Sequence, residues 1–267
     1  MSEPDPSFGT PSFETLAFET LAFEVADGVA RLTLDRPDAA NAFTPEMCRE
    51  LFHAAIACDE RDDIRAVLLT GAGKMFSAGG DLRFFASKGD ALGAALKEMT
   101  GDLHGAIARL MQMDAPVVCA VNGMAAGAGF SLAAACDIVI AAENARFTLA
   151  YTAAGLSPDG SSTWFLPRLV GLRRARELAL TNRLLSAEEA REMGVVDRVV
   201  PDGDLMAEAG KQAAAFAAGP TRAFGATKRL LLESWANGLE TQMDRETRSI
   251  AGLSRTADAT EGIDAFL

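Results

Sequence analysis

The chain has 267 residues, 49% of them hydrophobic and 23% charged, which suits one large domain or a core with a small appendage and argues against global disorder. A formal net charge of −12 disfavours nucleic acid and anionic membranes as partners, and any phosphate site must be built locally. Cys48, Cys58, Cys119, Cys136, His53 and His104 match no metal-ligand spacing and no Cys-x-x-Cys pair, so no metal is expected and the thiols read as reduced, in a cytoplasmic protein.

The N-terminus is acidic and carries Pro4, Pro6 and Pro11, unlike a secretory leader. A short repeat follows: Phe13-Glu14-Thr15-Leu16-Ala17, Phe18-Glu19-Thr20-Leu21-Ala22, then Phe23-Glu24. Its period is too short for a solenoid, and residues 1–22 are read as a tail. Phe23–Val25, a turn at Asp27-Gly28, and Val29–Leu34 predict a β-hairpin ended by Pro37. Thr44 as N-cap, Pro45 at the first helical position and Glu46 start a helix, whose apolar face is Met47, Leu51, Ala54, Ala55 and Cys58.

A strand is predicted at Ala66–Thr70, a glycine-rich loop at Gly71–Leu82, a helix from about Leu92 to Met113, and a strand at Val117–Val121 after Pro116. A second glycine-rich turn, Gly123–Gly129, leads into a helix through Ala135, then a strand at Asp137–Ala141. The nearly uncharged run Ala120–Ala142 is interrupted by Asn122, glycines and Asp137, so it reads as loop, helix and strand rather than a membrane span. Ser186 and Glu189 form a capping-box pair before a helix ended by Gly194, and Val195–Val200 is a further strand. Everything after Asp204 looks helical. The predicted organisation is a β/α core over 23–203 and a helical oligomerisation region over 204–267.

The two glycine-rich segments share a logic. Phe76-Ser77-Ala78-Gly79-Gly80-Asp81 and Asn122 through Gly129 each follow a strand, and small residues let a ligand approach the backbone. Two N–H groups converging on one oxygen would make an oxyanion hole. On spacing alone they could equally be tight packing turns, and they do not form a dinucleotide fingerprint.

From Phe23 to Leu267 the chain resembles the enoyl-CoA hydratase/isomerase (crotonase) family. The matching segments are Leu34-Asp35-Arg36-Pro37 with Asn41-Ala42-Phe43, then Phe76–Leu82, then Pro116-Val117 through Cys136-Asp137. The resemblance implies an α/β fold, a crotonase-like spiral of ββα repeats with a C-terminal α-helical region. It implies an acyl-CoA thioester ligand, no cofactor beyond the coenzyme A moiety of the substrate, and a homo-trimer or hexamer. It assigns the hole donors to Ala78 and Ala128, and contacts with substrate or coenzyme A to Ala40, Ala42, Phe76, Gly79, Asp81, Leu82, Gly127, Ser131, Tyr151 and Trp164. Relatives usually hold the coenzyme A phosphates with basic residues beyond the point matching Leu267; Lys74, Arg83 and Lys88 are the candidates here.

Hydratases of the family activate water with two glutamates. The matching positions hold Ser131 and Tyr151, poor bases near neutral pH, so efficient hydration is not expected. One acid remains nearby, Asp159 in Gly155-Leu156-Ser157-Pro158-Asp159-Gly160. It could cap a helix starting at Gly160, or, if buried against Trp164, Phe165 and Leu166, it could be a base. Its position resembles that of the aspartate in ring-opening epoxyphenylacetyl-CoA isomerases and some dienoyl-CoA isomerases, which implies a proton shuttle between C2 and C4. The segment also resembles chlorobenzoyl-CoA dehalogenases, in which the aspartate is a nucleophile and a histidine falls at the position of His104. A non-catalytic acyl-CoA-binding role, a thioester hydrolase, and an RNA-binding role of the kind known for some proteins of this fold are the other readings. The net charge and the lack of basic clusters with aromatics oppose the last.

Overall fold

The structure, a computed structural model, describes residues 17–267. The tail assignment for residues 1–16, with most of the first repeat copy, lies outside the described residues. Regular structure is present before the predicted boundary at 23. The Glu19 and Thr20 N–H groups donate to the Glu50 carboxylate at 2.8 and 2.9 Å, and Leu21 and Ala22 already belong to β1 (Leu21–Ala26). Asp27 (φ 51) and Gly28 (φ 78) turn the chain into the antiparallel β2 (Val29–Leu34), the paired positive φ values that a two-residue hairpin requires. Helix α1 (Pro45–Glu60) starts as predicted, with the Thr44 side chain accepting from the Met47 N–H.

Three strand pairs follow, each closed by helix. They are β3 (Ala66–Gly71) and β4 (Met75–Ser77), then α2 (Leu82–Lys88) and α3 (Leu92–Gln112); β5 (Val117–Val121) and β6 (Met124–Ala126), then α4 (Ala128–Ala135); and β7 (Ile138–Ala142) and β8 (Arg146–Thr148), then α5 (Ser162–Val170) and α6 (Leu172–Thr181). β9 (Leu185–Ser186), α7 (Ala187–Glu192) and β10 (Arg198–Val200) complete the core. The first strand of each pair joins one sheet, in order β1-β2-β3-β5-β7-β10, and the second joins another, in order β4-β6-β8-β9. The pairs β3–β5–β7 and β4–β6–β8 are all parallel, so the chain winds between two sheets as a spiral of ββα repeats. The predicted loops Gly71–Leu82 and Gly123–Gly129 therefore each contain a three-residue strand, and α2 lies in a stretch for which no helix was expected.

Among the described residues no helix is long and apolar enough to cross a membrane. The uncharged run 120–142 folds into parts of β5, β6, α4 and β7. All eight residues of α4 are buried, which explains why that run is apolar on every face.

The boundary at 204 does not divide core from appendage. Helix α8 (Leu205–Ala217) buries Leu205, Ala209, Ala213 and Ala217 against Ala66, Leu68, Val118, Ala120 and Ile140. It covers the face of the large sheet opposite the main core, and small alanines let helix and sheet approach. Beyond it lie α9 (Thr221–Glu233), α10 (Leu239–Leu253) and α11 (Ala257–Phe266). Lys228 ties α9 down: its Nζ lies 2.7 Å from Asp137 and donates to the Leu110 and Ala115 carbonyls at 3.0 Å. Gly225 is the one buried residue in the three helices. Leu231, Trp235, Leu239, Met243, Ile250, Ile263 and Phe266 are all more than half exposed.

Candidate active site

Strands β4, β6 and β8 run parallel and side by side, so the loops that follow them leave the same edge of the small sheet. Ligand sites gather at such carboxyl ends because neighbouring loops converge there. The three loops surround a cavity of about 260 Å³ that also reaches α2 and α3. Ala78, Gly80 and Leu82 line it from the first loop, Gly127 and Ala128 from the second, and Tyr151 and Asp159 from the third. Its remaining wall is mainly apolar, with Phe85, Leu96, Met99 and Leu103 from the helices.

The first loop is held by the segment before α1. Asn41 is fully buried; its side chain accepts from the Arg36 N–H at 2.9 Å and donates to the Ala72 and Met75 carbonyls at 2.9 and 2.8 Å. The Ser77 hydroxyl donates to the Asn41 carbonyl at 2.8 Å. In this staple the Ala78 N–H donates to the Ala40 carbonyl at 2.9 Å, which corrects the expectation that Ala78 supplies a hole donor. The Gly79 N–H is also taken, by Ser77 Oγ at 3.1 Å. Gly80 pairs with Phe43 through its neighbours: Phe43 N–H donates to Gly79 O and Asp81 N–H to Phe43 O. Its own N–H therefore points the other way, and among the described residues no group accepts it. The free donor lies two residues beyond the predicted one.

The other expected donor, Ala128, opens a helix. Ala128 is the first residue of α4, so its N–H has no intrahelical acceptor, and the helix dipole there favours developing negative charge. Gly79 (φ 87) brings the two loops together. A Cβ at that position would stand 2.7 Å from the Ala126 carbonyl and 3.2 Å from the Ala128 nitrogen, so only glycine permits the approach.

Asp159 caps no helix. α5 begins at Ser162, with Ser161 (φ 74) before it and no side-chain cap. The Tyr151 hydroxyl instead donates to Asp159 Oδ1 at 2.6 Å, and Ser131 Oγ lies 3.0 Å from that hydroxyl. His104 Nε2 is 3.7 Å from Asp159 Oδ2 and accepts the Gly160 N–H at 3.1 Å. Burial first, and then the Asp159 charge, push the Tyr151 phenol pKa up, so the phenol stays protonated and acts as a donor. The apolar enclosure expected from Trp164 and Phe165 is absent. The Asp159 side chain is 28% exposed, while Trp164 and Phe165 face a separate cavity between α3, α5 and α9.

Other predicted contacts sort by the same geometry. Asp81 accepts from the Arg83 and Phe84 N–H groups at 3.0 and 3.2 Å and pairs with Arg36 at 3.3 Å; it caps α2 and does not line the cavity. Phe76 is fully buried in the core. Ala40 and Ala42 accept from Ala78 and Arg36 through their carbonyls, building the loop rather than the cavity wall. Ser131 is also fully buried and reaches the site only through Tyr151. Leu82, Gly127 and Tyr151 do line the cavity. The α3 wall was not recognised from the sequence, although 96, 99, 100 and 103 have the spacing of one helical face.

A family model described as Enoyl-CoA hydratase/isomerase matches residues 24–267. The 1,2-epoxyphenylacetyl-CoA isomerase of Escherichia coli (strain K12) is 43% identical over 249 residues, covering 91% of this chain and 93% of that one. The 4-chlorobenzoyl coenzyme A dehalogenase-2 of an Arthrobacter species is 35% identical over 225 residues, covering 84% and 82%. The crystal structure of an enoyl-CoA hydratase from Polaromonas sp. JS666 has a TM-score of 0.88 at 34% identity, covering 92% and 96%.

Proposed function

The chain belongs to the enoyl-CoA hydratase/isomerase family, and on that premise we propose that it isomerises a carbon–carbon double bond of an acyl-CoA thioester, with Asp159 as the proton shuttle. The observation that carries this reading is that Asp159 is the one carboxylate among the described residues lining the cavity. In the proposed cycle the thioester oxygen sits between the Gly80 and Ala128 N–H groups. The Asp159 carboxylate takes a proton from C2 or C4, and the electron pair spreads onto the thioester oxygen as a dienolate. The resulting carboxylic acid returns the proton to the other carbon, and the double bond moves. No electrons are gained or lost overall, so the reaction needs no cofactor beyond the coenzyme A moiety of the substrate. The E. coli relative, named for isomerising an epoxide of phenylacetyl-CoA, supports isomerisation as the reaction class rather than double-bond migration in particular.

Hydration is disfavoured because the Ser131 and Tyr151 hydroxyls partner each other and neither is a carboxylate. Assayed side by side, isomerisation of a 3-enoyl-CoA is expected to exceed hydration of crotonyl-CoA by at least about ten-fold, since general acid–base catalysis contributes roughly 10²–10⁴ and only one acid is present for it. Comparable rates would show that water is activated without the second acid. A dehalogenase-like reading is favoured by one contact, His104 to Asp159, together with the Arthrobacter relative. Chloride release from 4-chlorobenzoyl-CoA in the same assay panel would support it.

The exposed apolar residues of α9, α10 and α11 support self-association, as a homo-trimer or hexamer. Leu239, Ile250 and Phe266 are 71%, 71% and 97% exposed in the single chain, more than a monomer usually presents on adjoining helices. Sedimentation at micromolar concentration is expected to give a trimer or hexamer, and a stable monomer would remove this assignment.

A further inference from the structure

Ser131 and Tyr151 stand where a hydratase of this family would carry acids, and the structure gives them a connected arrangement. The Tyr151 hydroxyl donates to Asp159 Oδ1 at 2.6 Å, and Ser131 Oγ approaches both that hydroxyl, at 3.0 Å, and the Gly127 carbonyl, at 3.2 Å. A phenol has one proton, and here it is directed at Asp159. The contact between the two hydroxyls therefore takes the Ser131 proton, so Ser131 donates to Tyr151, with the Gly127 carbonyl at 3.2 Å beside it. Gly127 immediately precedes Ala128, the hole donor. The chain of hydroxyls thus runs from the hole to the base.

We propose that Tyr151, anchored by Ser131, is a positioning residue that grips Asp159 by Oδ1 and leaves Oδ2 as the single proton-carrying atom. The inference rests on the isomerase reading above. A shuttle between C2 and C4 must present one oxygen to two carbons without the carboxylate rotating about its own bond. A misplacement of about 1 Å can cost roughly 10²-fold in rate. A lone carboxylate at the edge of a cavity, 28% exposed, has little packing to stop that rotation. Tyr151 is largely buried against the β8 loop, and its raised pKa keeps the proton that makes the grip. Ser131, with no exposed surface, fixes the phenol in turn. His104 approaches the other oxygen only to 3.7 Å and its Nε2 is occupied by the Gly160 N–H, so it does not compete for Oδ2. The substitution of both acids therefore exchanges water activation for control of a single base.

Tyr151 is the only tyrosine in the chain, so biosynthetic 3-fluorotyrosine labels this hydroxyl alone. Its ¹⁹F resonance is expected to move in Asp159→Asn, because a charged acceptor becomes a neutral one. Tyr151→Phe is expected to lower kcat roughly ten-fold or more, the scale of one hydrogen bond to a charged group. KM is expected to stay within about two-fold, since no binding contact to coenzyme A is removed, and exchange of the substrate C2 proton into D₂O falls in the same proportion as kcat. Ser131→Ala, which loosens the phenol without removing it, is expected to give a smaller loss of the same kind. A Tyr151→Phe enzyme with wild-type kcat beside an inactive Asp159→Asn overturns the positioning role alone. A fluorine resonance indifferent to Asp159→Asn overturns it as well, even where Tyr151→Phe cannot be folded. A fully active Asp159→Asn overturns Asp159 as the proton shuttle, and this inference with it, while the isomerase activity itself stands.

Discussion

Asp159→Asn is expected to lower isomerase turnover by about 10²-fold or more, the usual span for removing a general base, with KM and thermal midpoint little changed. The asparagine has the same shape, and its amide oxygen can still accept from Tyr151, so the loop keeps its hydrogen bond. Asp159 supplies no helix cap whose loss would unfold α5. The check is kcat on a 3-enoyl-CoA together with a melting curve. Full activity in the variant would move the search for the base to Tyr151 or His104, the titratable neighbours at 2.6 and 3.7 Å. Loss of activity with a collapsed melting point would mean that Asp159 holds the fold rather than the proton.

Ala128→Pro is expected to cost about 10²–10³ in kcat, the magnitude seen when one oxyanion donor is removed. The proposed hole uses backbone N–H groups, so ordinary side-chain substitutions test it only through crowding. Proline removes the N–H itself. Position 128 is the first residue of α4, where proline is best tolerated because that N–H makes no helical bond. The stability loss is therefore expected to be small beside the rate loss, and the ring Cδ would also intrude where the thioester oxygen sits. Steady-state kinetics and a melting curve on the same sample separate the two effects. Wild-type turnover in a folded Ala128→Pro protein would remove the second loop from the mechanism.

Much of the architecture was legible because it is written locally. The Thr44 cap, the Asp27-Gly28 turn and the Ser186–Glu189 capping box are each set within a few residues, and all three form as expected. The apolar stripe of α1 needed only its own spacing. Short strands were not legible. β4, β6 and β8 have three residues each, too few for a period-two pattern to stand out from loop. Those strands nevertheless aim all three site loops. The limit of 204 failed for a related reason: an alanine face on α8 reads as a generic helix until a sheet is found beneath it.

From its residues alone the chain revealed its family, its strand–helix alternation, the absence of both hydratase acids, and Asp159 as the acid nearest the site. Tertiary structure decided how those parts act. It left the Gly80 N–H free as the candidate hole donor because the Ala78 N–H meets the Ala40 carbonyl, 38 positions away in the chain. It made Asp159 a tethered carboxylate through Tyr151, made Asp81 a helix cap paired with Arg36, and turned Trp164 toward a different cavity. Local spacing records propensity and periodicity, which neighbouring residues determine. The partner of a given N–H or carboxylate oxygen depends instead on contacts between distant segments, which exist only once the two sheets have closed the spiral.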